Sequence, residues 1–248
     1  MIEVRDLKKS FGSNKVLEGV SFRIESGETV VIIGRSGCGK SILLKLLIGL
    51  ICPDSGDVLI NGQNIGHMDE RELLQVRRKF GMLFQSAALF DSLTVAENVS
   101  FVLRRERRMT DQEISRRVDE TLEMVELPGI QAKKPSELSG GMRKRVGLAR
   151  AIIYRPEIVL YDEPTTGLDP IVSDSIDKLI LRVCEQLKIT SVVVTHDTRT
   201  MRRVGQRILM LVKGHIHAAG TSDEIFSSSD PIVRQFVDGI SDPKEHSF

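Results

Sequence analysis

Several residue types that often anchor a fold or a binding site are scarce in this sequence. Tryptophan is absent, and aromatic residues make up only 4% of the chain. The three cysteines, Cys38, Cys52 and Cys184, are odd in number and lack the spacing of a metal site. We therefore predict no disulfide framework, and a reducing compartment such as the cytoplasm.

An excess of charge of either sign is also missing. Lysine and arginine together number 35 and the acidic residues 34, which leaves a net charge of +1. A nucleic-acid-binding protein would carry clustered basic residues, and so would a protein that attaches itself directly to anionic lipid. We predict neither nucleic acid nor a lipid surface as a direct partner.

Long hydrophobic runs are lacking as well. The longest, Ile42 to Cys52, is interrupted by Lys45 and is shorter than the roughly 20 residues that cross a bilayer. Residues 1–6 alternate between apolar and charged types, which predicts a strand and not a secretory signal. Any link to a membrane is expected to run through a partner protein.

What is present is the pattern of an α/β fold. The apolar run at 28–33 predicts a central strand buried on both faces. Strands predicted at 157–161, 190–195 and 207–212, with a helix at 172–187, give a βαβ rhythm. Between about 94 and 153 the chain is helical and highly charged, so we predict a helical block inserted into a parallel-sheet core of this 248-residue chain.

One glycine-rich segment fits the phosphate-loop pattern G-x-x-x-x-G-K-[ST]: Gly34-Arg35-Ser36-Gly37-Cys38-Gly39-Lys40-Ser41. Its backbone amides and the following helix N-terminus are suited to phosphate, with Lys40 as the cation and the Ser41 hydroxyl as a Mg²⁺ ligand. An ordinary glycine-rich turn is the alternative, which the flanking strand and helix disfavour. Near a helix N-terminus, the thiol pKa of Cys38 is expected to be lowered.

Two adjacent carboxylates close the strand predicted at 157–161. Asp162 lies where a carboxylate beside a phosphate loop binds Mg²⁺, and Glu163 is placed to polarise an attacking water. Alone the pair would be weak support, but together with the phosphate loop it predicts nucleotide hydrolysis.

The remaining motifs, in their order along the chain, resemble those of the ATP-binding-cassette (ABC) ATPases. The matching segments are Phe11, the Gln85 loop, the signature Leu138-Ser139-Gly140-Gly141-Met142, Thr166-Gly167-Leu168-Asp169 and His196. The resemblance covers nearly the whole chain. It implies a RecA-like core with an antiparallel β subdomain and a helical subdomain at about 86–155, within one domain at 1–240 followed by a tail at 241–248.

The resemblance also implies the cofactors ATP and Mg²⁺ and a role for each residue. Glu163, His196 and Gln85 would be catalytic, and Ser41, Gln85 and Asp162 would bind the metal. The implied nucleotide-binding set is Phe11, Val16, Gly34, Arg35, Ser36, Gly37, Cys38, Gly39, Lys40, Ser41, Ile42, Ser139, Gly140, Gly141 and Asp169. Ser139 would act on the ATP of a second copy in a head-to-tail homodimer, although its type and position equally suit a helix N-cap.

Two positions depart from the family pattern. Ile42 replaces a hydroxyl residue that would reach the α-phosphate, so we expect weaker nucleotide affinity but not lost function. Met142 stands where the signature usually has glutamine. With the segments 84–90, 138–150 and 233–240, this resembles the Mla-type phospholipid-trafficking (toluene-tolerance) branch.

That branch implies integral membrane permease subunits, an MCE-domain lipid-binding subunit, and a cytoplasmic location on the inner face of the cell membrane. A nucleotide switch regulating a membrane partner, and the ATPase of another small-solute importer, share all of these motifs and stay open. A soluble ABC protein acting on DNA or ribosomes is disfavoured because this chain has one cassette and no long coiled coil.

Two apolar patterns also allow two interpretations. Leu89 and Phe90 follow a predicted strand, and they either form a permease contact or fill the core. Ile232, Val233, Phe236 and Val237 form a helical stripe that covers either the chain's own core or a subunit interface.

Overall fold

The computed structural model describes residues 1–240, so the predicted tail at 241–248 lies outside the described residues. The strands are β1 (Ile2–Phe11), β2 (Asn14–Ile24), β3 (Thr29–Ile33), β4 (Ser55–Ile60), β5 (Gln63–Asn64), β6 (Phe80–Leu83), β7 (Ile158–Asp162), β8 (Thr190–Val194), β9 (Arg207–Val212) and β10 (His215–Thr221). The helices are α1 (Lys40–Leu47), α2 (Glu70–Arg77), α3 (Val95–Glu106), α4 (Asp111–Met124), α5 (Gly140–Ile152), α6 (Pro170–Leu187), α7 (Thr198–Val204), α8 (Ser222–Phe226) and α9 (Pro231–Val237).

The chain forms two compact units. The first unit contains Met1–Asp69 and the described residues from Val194 onward, and the second unit contains Glu70–Val193. The second unit encloses the predicted helical block, whose boundaries at 86–155 stay a prediction. Within residues 1–240, no helix combines the length and hydropathy that a membrane span requires.

The first unit contains an antiparallel sheet in the order β2-β1-β4-β5. Its β4–β5 hairpin turns at Asn61 and Gly62, whose φ angles of 50° and 81° suit the tight turn that their sequence predicts. Alternate residues of β1 such as Ile2 and Val4 are buried, because each strand presents one face to the core. The antiparallel β subdomain is confirmed.

A second group of strands in this unit lies in the order β10-β9-β3. Strand β9 runs parallel to β3, and β10 runs antiparallel to β9. All five residues of β3 are buried, as the continuous apolar run predicts for a strand covered on both faces. This buried strand leads directly into the phosphate loop.

The C-terminal helix α9 begins at an Asp230 N-cap. Of its apolar stripe, Val233 is fully buried, whereas Ile232 is 41% exposed and the other two members are half-buried. Part of the stripe therefore packs against the chain's own core.

The second unit contains β8, β7 and β6 in that order, with β6 parallel to β7. Helix α5 packs on β6 and on α3. Capping boxes at Thr94 and Thr110 open α3 and α4. In each, the threonine hydroxyl accepts a hydrogen bond from the backbone amide of the glutamate three residues later, and the carboxylate of that glutamate accepts one from the threonine amide. The run Thr110-Asp111-Gln112-Glu113 has the sequence pattern that predicts such a box, and the structure confirms it.

Two features of the helices differ from the sequence pattern. Helix α2 was not predicted, although acidic residues in its first turn and buried Leu73 and Val76 are typical of a short surface helix. The sequence predicts a helix over 94–101, but α3 continues to Glu106, where Arg107 turns left-handed with a φ of 52°. The arginine-rich segment 104–108 is thus a helix end, as its mixed charge predicts.

Candidate functional site

The phosphate loop has an unusual backbone that only glycine tolerates without strain. Gly34, Gly37 and Gly39 have φ angles of 154°, 79° and 104°. A Cβ on Gly34 would lie 2.4 Å from the carbonyl oxygen of Leu211, and one on Gly39 would lie 2.8 Å from Cγ1 of Val16. The glycines therefore let the loop curl tightly between its neighbours and present its backbone at the start of α1.

Lys40 is buried beneath this loop. Its Nζ donates to the carbonyl oxygens of Gly34 at 2.8 Å and Arg35 at 3.0 Å. These bonds place an ammonium group inside the curve of the loop, next to the N-terminus of α1. Together the curled backbone, the cation and the helix N-terminus fit a bound phosphate chain.

Three other predicted residues lie in the first unit. Val16 borders the loop at Gly39. The amide of Thr195 donates to the carbonyl oxygen of Ile32 at 3.2 Å, so the exposed His196 lies at the end of β3 from which the loop departs. Phe11 is exposed at the β1–β2 turn, and the Nζ of Lys9 lies 5.5 Å from its ring centroid. An exposed ring of this kind is available for stacking.

The prediction for Cys38 is wrong. Burial raises the pKa of its thiol, and the positive charge of Lys40 lowers it by less than burial raises it. The cost of removing a thiolate from water outweighs the favourable charges at the start of α1. Cys38 is therefore a less reactive thiol than its position in the loop predicts.

In the second unit, Glu163 is held on both its backbone and its side chain. It follows β7, its residue is only 9% exposed, and its φ is 51°. Its Oε2 accepts a hydrogen bond from the Thr166 hydroxyl at 3.0 Å, and its carbonyl oxygen accepts one from Nζ of Lys144 at 3.0 Å. A non-glycine residue in a left-handed conformation is strained, and such strain is concentrated at functional sites.

Lys144 connects Glu163 with Gln85. Its Nζ also donates to the carbonyl oxygen of Gln85 at 2.5 Å, and the side chain of Gln85 is exposed. Burial lowers the pKa of the Lys144 ammonium to about 8, and the negative charges of Glu163 and Asp162 act against that shift. The structure thus brings Gln85 together with the adjacent pair Asp162 and Glu163, from which it is far apart in the sequence.

A second cation of α5 holds the backbone that follows Gln85. Ala87 and Ala88 have φ angles of 61° and 46°, and the guanidinium of Arg150 donates to their carbonyl oxygens at 2.7 Å and 2.6 Å. Gly147 permits this approach, since a Cβ there would lie 2.8 Å from Cδ1 of Leu83. Hydrogen bonds from Lys144 and Arg150 therefore hold the Gln85 loop against α5.

The signature residues form the start of α5. Ser139 is its N-cap, and the Ser139 Oγ accepts a hydrogen bond from the amide of Met142 at 3.2 Å. A Cβ on Gly141 would lie 2.6 Å from Cγ1 of Val172, and one on Gly140 would lie 3.2 Å from Cδ2 of Leu168. The glycines therefore have a packing role beside α6, and the N-cap interpretation of Ser139 is confirmed.

Asp169 is the N-cap of α6. Its Oδ1 accepts hydrogen bonds from the amides of Ile171 and Val172, both at 3.0 Å. Since Val172 packs against Gly141, Asp169 and the signature glycines belong to one connected region of the second unit.

Lys144 and Arg150 are site residues that sequence reasoning missed. A usable signal was present in the spacing: Gly141, Lys144 and Leu148 lie at i, i+3 and i+7, which puts the lysine on the packed face of α5, where it requires carbonyl or carboxylate partners.

Within residues 1–240, no group of three or more His, Cys, Asp or Glu side chains could hold a metal ion by itself. The oxygen donors predicted for Mg²⁺ are divided, with Ser41 in the first unit and Gln85 and Asp162 in the second. Magnesium usually takes one or two carboxylates and completes its shell with phosphate and water, and the single carboxylate of this set, Asp162, is in keeping with that ion.

Comparison with known proteins agrees with this chemistry. The profile of the ABC transporter family matches residues 17–166. The chain is 46% identical to "Protein TRIGALACTOSYLDIACYLGLYCEROL 3, chloroplastic" of Arabidopsis thaliana, over 98% of this chain and 74% of that protein. It is 43% identical to the "Probable ribonucleotide transport ATP-binding protein mkl" of Mycobacterium leprae, over 96% and 69%.

The chain is also 40% identical to the "Intermembrane phospholipid transport system ATP-binding protein MlaF" of Haemophilus influenzae, over 98% of this chain and 92% of that protein. Among solved structures, it resembles the dimeric, post-hydrolysis ATP-binding cassette MJ0796 bound to ADP and Pi. That likeness has a TM-score of 0.82 and 36% identity over 90% of this chain and 99% of the other. The profile and these matches, taken with the phosphate loop and Glu163, show that the chain belongs to the ABC transporter family, as an ATP-binding subunit that hydrolyses ATP.

Proposed function

We propose that this chain is the ATPase subunit of a phospholipid transporter of the bacterial envelope. The observation that carries the lipid assignment is the match to the Haemophilus influenzae phospholipid transport protein, which extends over almost the whole of both chains. The Arabidopsis relative, whose name contains a galactolipid, supports a lipid substrate in the broader sense.

For nucleotide binding, we assign the phosphates to the loop from Gly34 to Ile42, with Lys40 as its cation. Phe11 stacks on the adenine, and Val16 borders the same end of the loop. Ser41, Gln85 and Asp162 supply oxygens to Mg²⁺. When bound, Mg²⁺ would supply positive charge to the terminal phosphates.

For hydrolysis, we assign Glu163 as the group that accepts a proton from the attacking water. The hydrogen bond from Thr166 orients its carboxylate, and a carboxylate held in one orientation costs less reorganisation during reaction. The amide of Gln85 orients the same water, and the imidazole of His196 donates to the terminal phosphate. The phosphate accepts the water oxygen as its bond to the ADP oxygen breaks.

Each chain has one phosphate loop and one signature segment, which suggests a head-to-tail homodimer. The free amides at the N-terminus of a 13-residue helix form an anion site, and Ser139 stands at that N-terminus in α5. In this arrangement each ATP lies between Lys40 of one copy and Ser139 of the other, and Asp169 acts across the interface. The dimeric structural relative supports this part of the proposal.

The permease is proposed to dock on residues 85–98 of the second unit. Phe90 is 45% exposed and stacks on Phe101 with ring centroids 4.8 Å apart. Phe84 is exposed as well, so apolar side chains are present at the surface next to the Gln85 loop. In this proposal the subunit lies in the cytoplasm on the inner face of the membrane, and the complex also includes an MCE-domain lipid-binding protein.

A second candidate is the ATPase of a small-solute transporter, which the similarly matched Mycobacterium leprae relative favours by its name. The test is to purify the chain with its membrane partner and identify bound molecules by mass spectrometry. Phospholipid in the complex, with ATPase activity that rises when phospholipid is added, supports the proposal. Bound ribonucleotide or another small solute, with no response to phospholipid, supports the second candidate instead.

A further inference from the structure

Lys144 occupies a position that packing alone does not explain. Its residue is only 5% exposed, and a buried ammonium loses its hydration unless polar groups replace it. The replacing groups are the carbonyl oxygens of Gln85 and Glu163. In the proposed function, Gln85 orients the attacking water and Glu163 accepts a proton from it.

The position of Lys144 along α5 is equally specific. It lies five residues after Ser139, which corresponds to roughly 7.5 Å of helix rise. One rigid helix thus carries the proposed anion site for the partner's ATP at its start, and the ammonium that holds Gln85 and Glu163 less than two turns later.

Arg150 makes the same kind of contact six residues further along α5, which is less than two helical turns. It holds the carbonyl oxygens of Ala87 and Ala88, which have left-handed backbones. The two cations of α5 therefore donate to four carbonyl oxygens, three of them on the loop that contains Gln85. Any displacement of α5 moves that loop with it.

We propose that Lys144 is a positioning residue for ATP hydrolysis, which holds the backbones of Gln85 and Glu163 in register with the Ser139 end of α5. The proposal rests on the proposed roles of those residues. In this proposal α5 both presents Ser139 to the nucleotide and, through Lys144, aligns the residues that act on the attacking water. Loss of the Lys144 ammonium should therefore slow turnover without weakening nucleotide binding.

The test compares Lys144→Met, which keeps the length of the side chain, with Lys144→Arg, which keeps the charge. Lys178→Met is the control, since Lys178 forms an exposed i,i+4 ion pair with Asp174 on α6. We expect kcat to fall roughly ten- to a hundredfold in Lys144→Met, the loss of hydrogen bonds from a charged donor, with KM for ATP within about threefold. Lys144→Arg should recover part of kcat, and Lys178→Met should match the parent protein.

A second measurement monitors the hydrogen bond between Lys144 and the Gln85 carbonyl directly, by NMR and independently of activity. Gln85–Ser86 is the only Gln–Ser pair in the chain, so carbonyl-¹³C glutamine combined with ¹⁵N serine gives one cross-peak for the Gln85 carbonyl. Loss of the hydrogen bond should move that carbon resonance upfield in Lys144→Met. If Lys144→Met does not fold, Lys144→Gln replaces it in both measurements.

An unchanged kcat in a folded variant, or an unchanged Gln85 carbonyl resonance, overturns the proposal. So does a joint change of kcat and KM that follows the loss of thermal stability and that Lys144→Arg does not restore, because that is a structural role. Glu163→Gln distinguishes a failure of the proposed function from a failure of the proposal about Lys144. If it turns over ATP normally, the proposed function of Glu163 fails; if it is slow while Lys144→Met is normal, only the inference about Lys144 fails.

Discussion

The hydroxyl of Thr166 donates a hydrogen bond to Oε2 of Glu163 at 3.0 Å, within a turn that leaves Glu163 in a left-handed conformation. A left-handed non-glycine residue costs on the order of 1–3 kcal/mol, which the surrounding contacts must offset. Side chain and backbone of Glu163 are therefore fixed together, as expected of a carboxylate that must meet a water molecule in one orientation.

Replacing Glu163 with glutamine should separate nucleotide binding from hydrolysis. The amide cannot accept a proton from water, so we expect turnover to fall by roughly 10²- to 10⁴-fold while ATP still binds. Phosphate release gives the rate, and titration with a fluorescent ATP analogue gives the affinity. The exposed Glu185→Gln on α6 is the matched control, and wild-type turnover in Glu163→Gln would remove the assigned role.

Mixing two inactive variants should restore activity if ATP is shared between copies. Ser139→Arg adds bulk and charge at the start of α5, and Lys40→Ala removes the loop cation. In a mixed dimer one composite site carries both lesions and the other carries neither, so we expect partial recovery of ATPase activity on mixing.

The control for this experiment mixes Ser139→Arg with the double variant Lys40→Ala/Ser139→Arg, which leaves no intact site in any dimer. That mixture should stay inactive. If mixed dimers form in the first experiment and hydrolysis does not return, Ser139 does not act on the partner's ATP.

Phe90→Asp should uncouple transport from an otherwise folded ATPase. Phe90 is 45% exposed, so the change leaves a buried core intact but places a carboxylate in the proposed permease contact. Co-purification with the permease and transport by the reconstituted complex are the measurements. Leu50→Asp makes the same change at an exposed leucine of the first unit, and equal transport by the two variants contradicts the docking proposal.

The two neighbouring apolar residues of α9 should differ in their effect on stability. Val233 is fully buried, so Val233→Ala should lower the free energy of unfolding by roughly 2 kcal/mol through lost burial and a residual cavity. Ile232→Ala should change it by less than about 0.5 kcal/mol, as is usual at exposed positions. Urea denaturation of both variants provides the comparison, and equal effects would show that Val233 is not what anchors α9.

Local patterns along the chain predicted much of this structure. The apolar run at 28–33, the Asn61-Gly62 turn and the Thr110 capping box each depend on spacing within a few residues, and each is confirmed. Helix α2 was missed because its two buried positions, Leu73 and Val76, are too few to stand out from a polar segment. The pKa of Cys38 was predicted in the wrong direction because burial is not visible in a local motif.

The sequence by itself determined the phosphate loop, the Asp162-Glu163 pair and the order of the remaining motifs, because each is a contiguous run whose chemistry is local. Only the tertiary structure decided that Lys144 reaches Gln85, 59 positions away, and Glu163, 19 positions away. The packing of α5 on β6 creates that contact, and it depends on Gly147, where a side chain would collide with Leu83. The carbonyl partners of a buried ammonium depend on how the helix that carries it packs against the sheet. The spacing of residues within a single segment does not determine that packing.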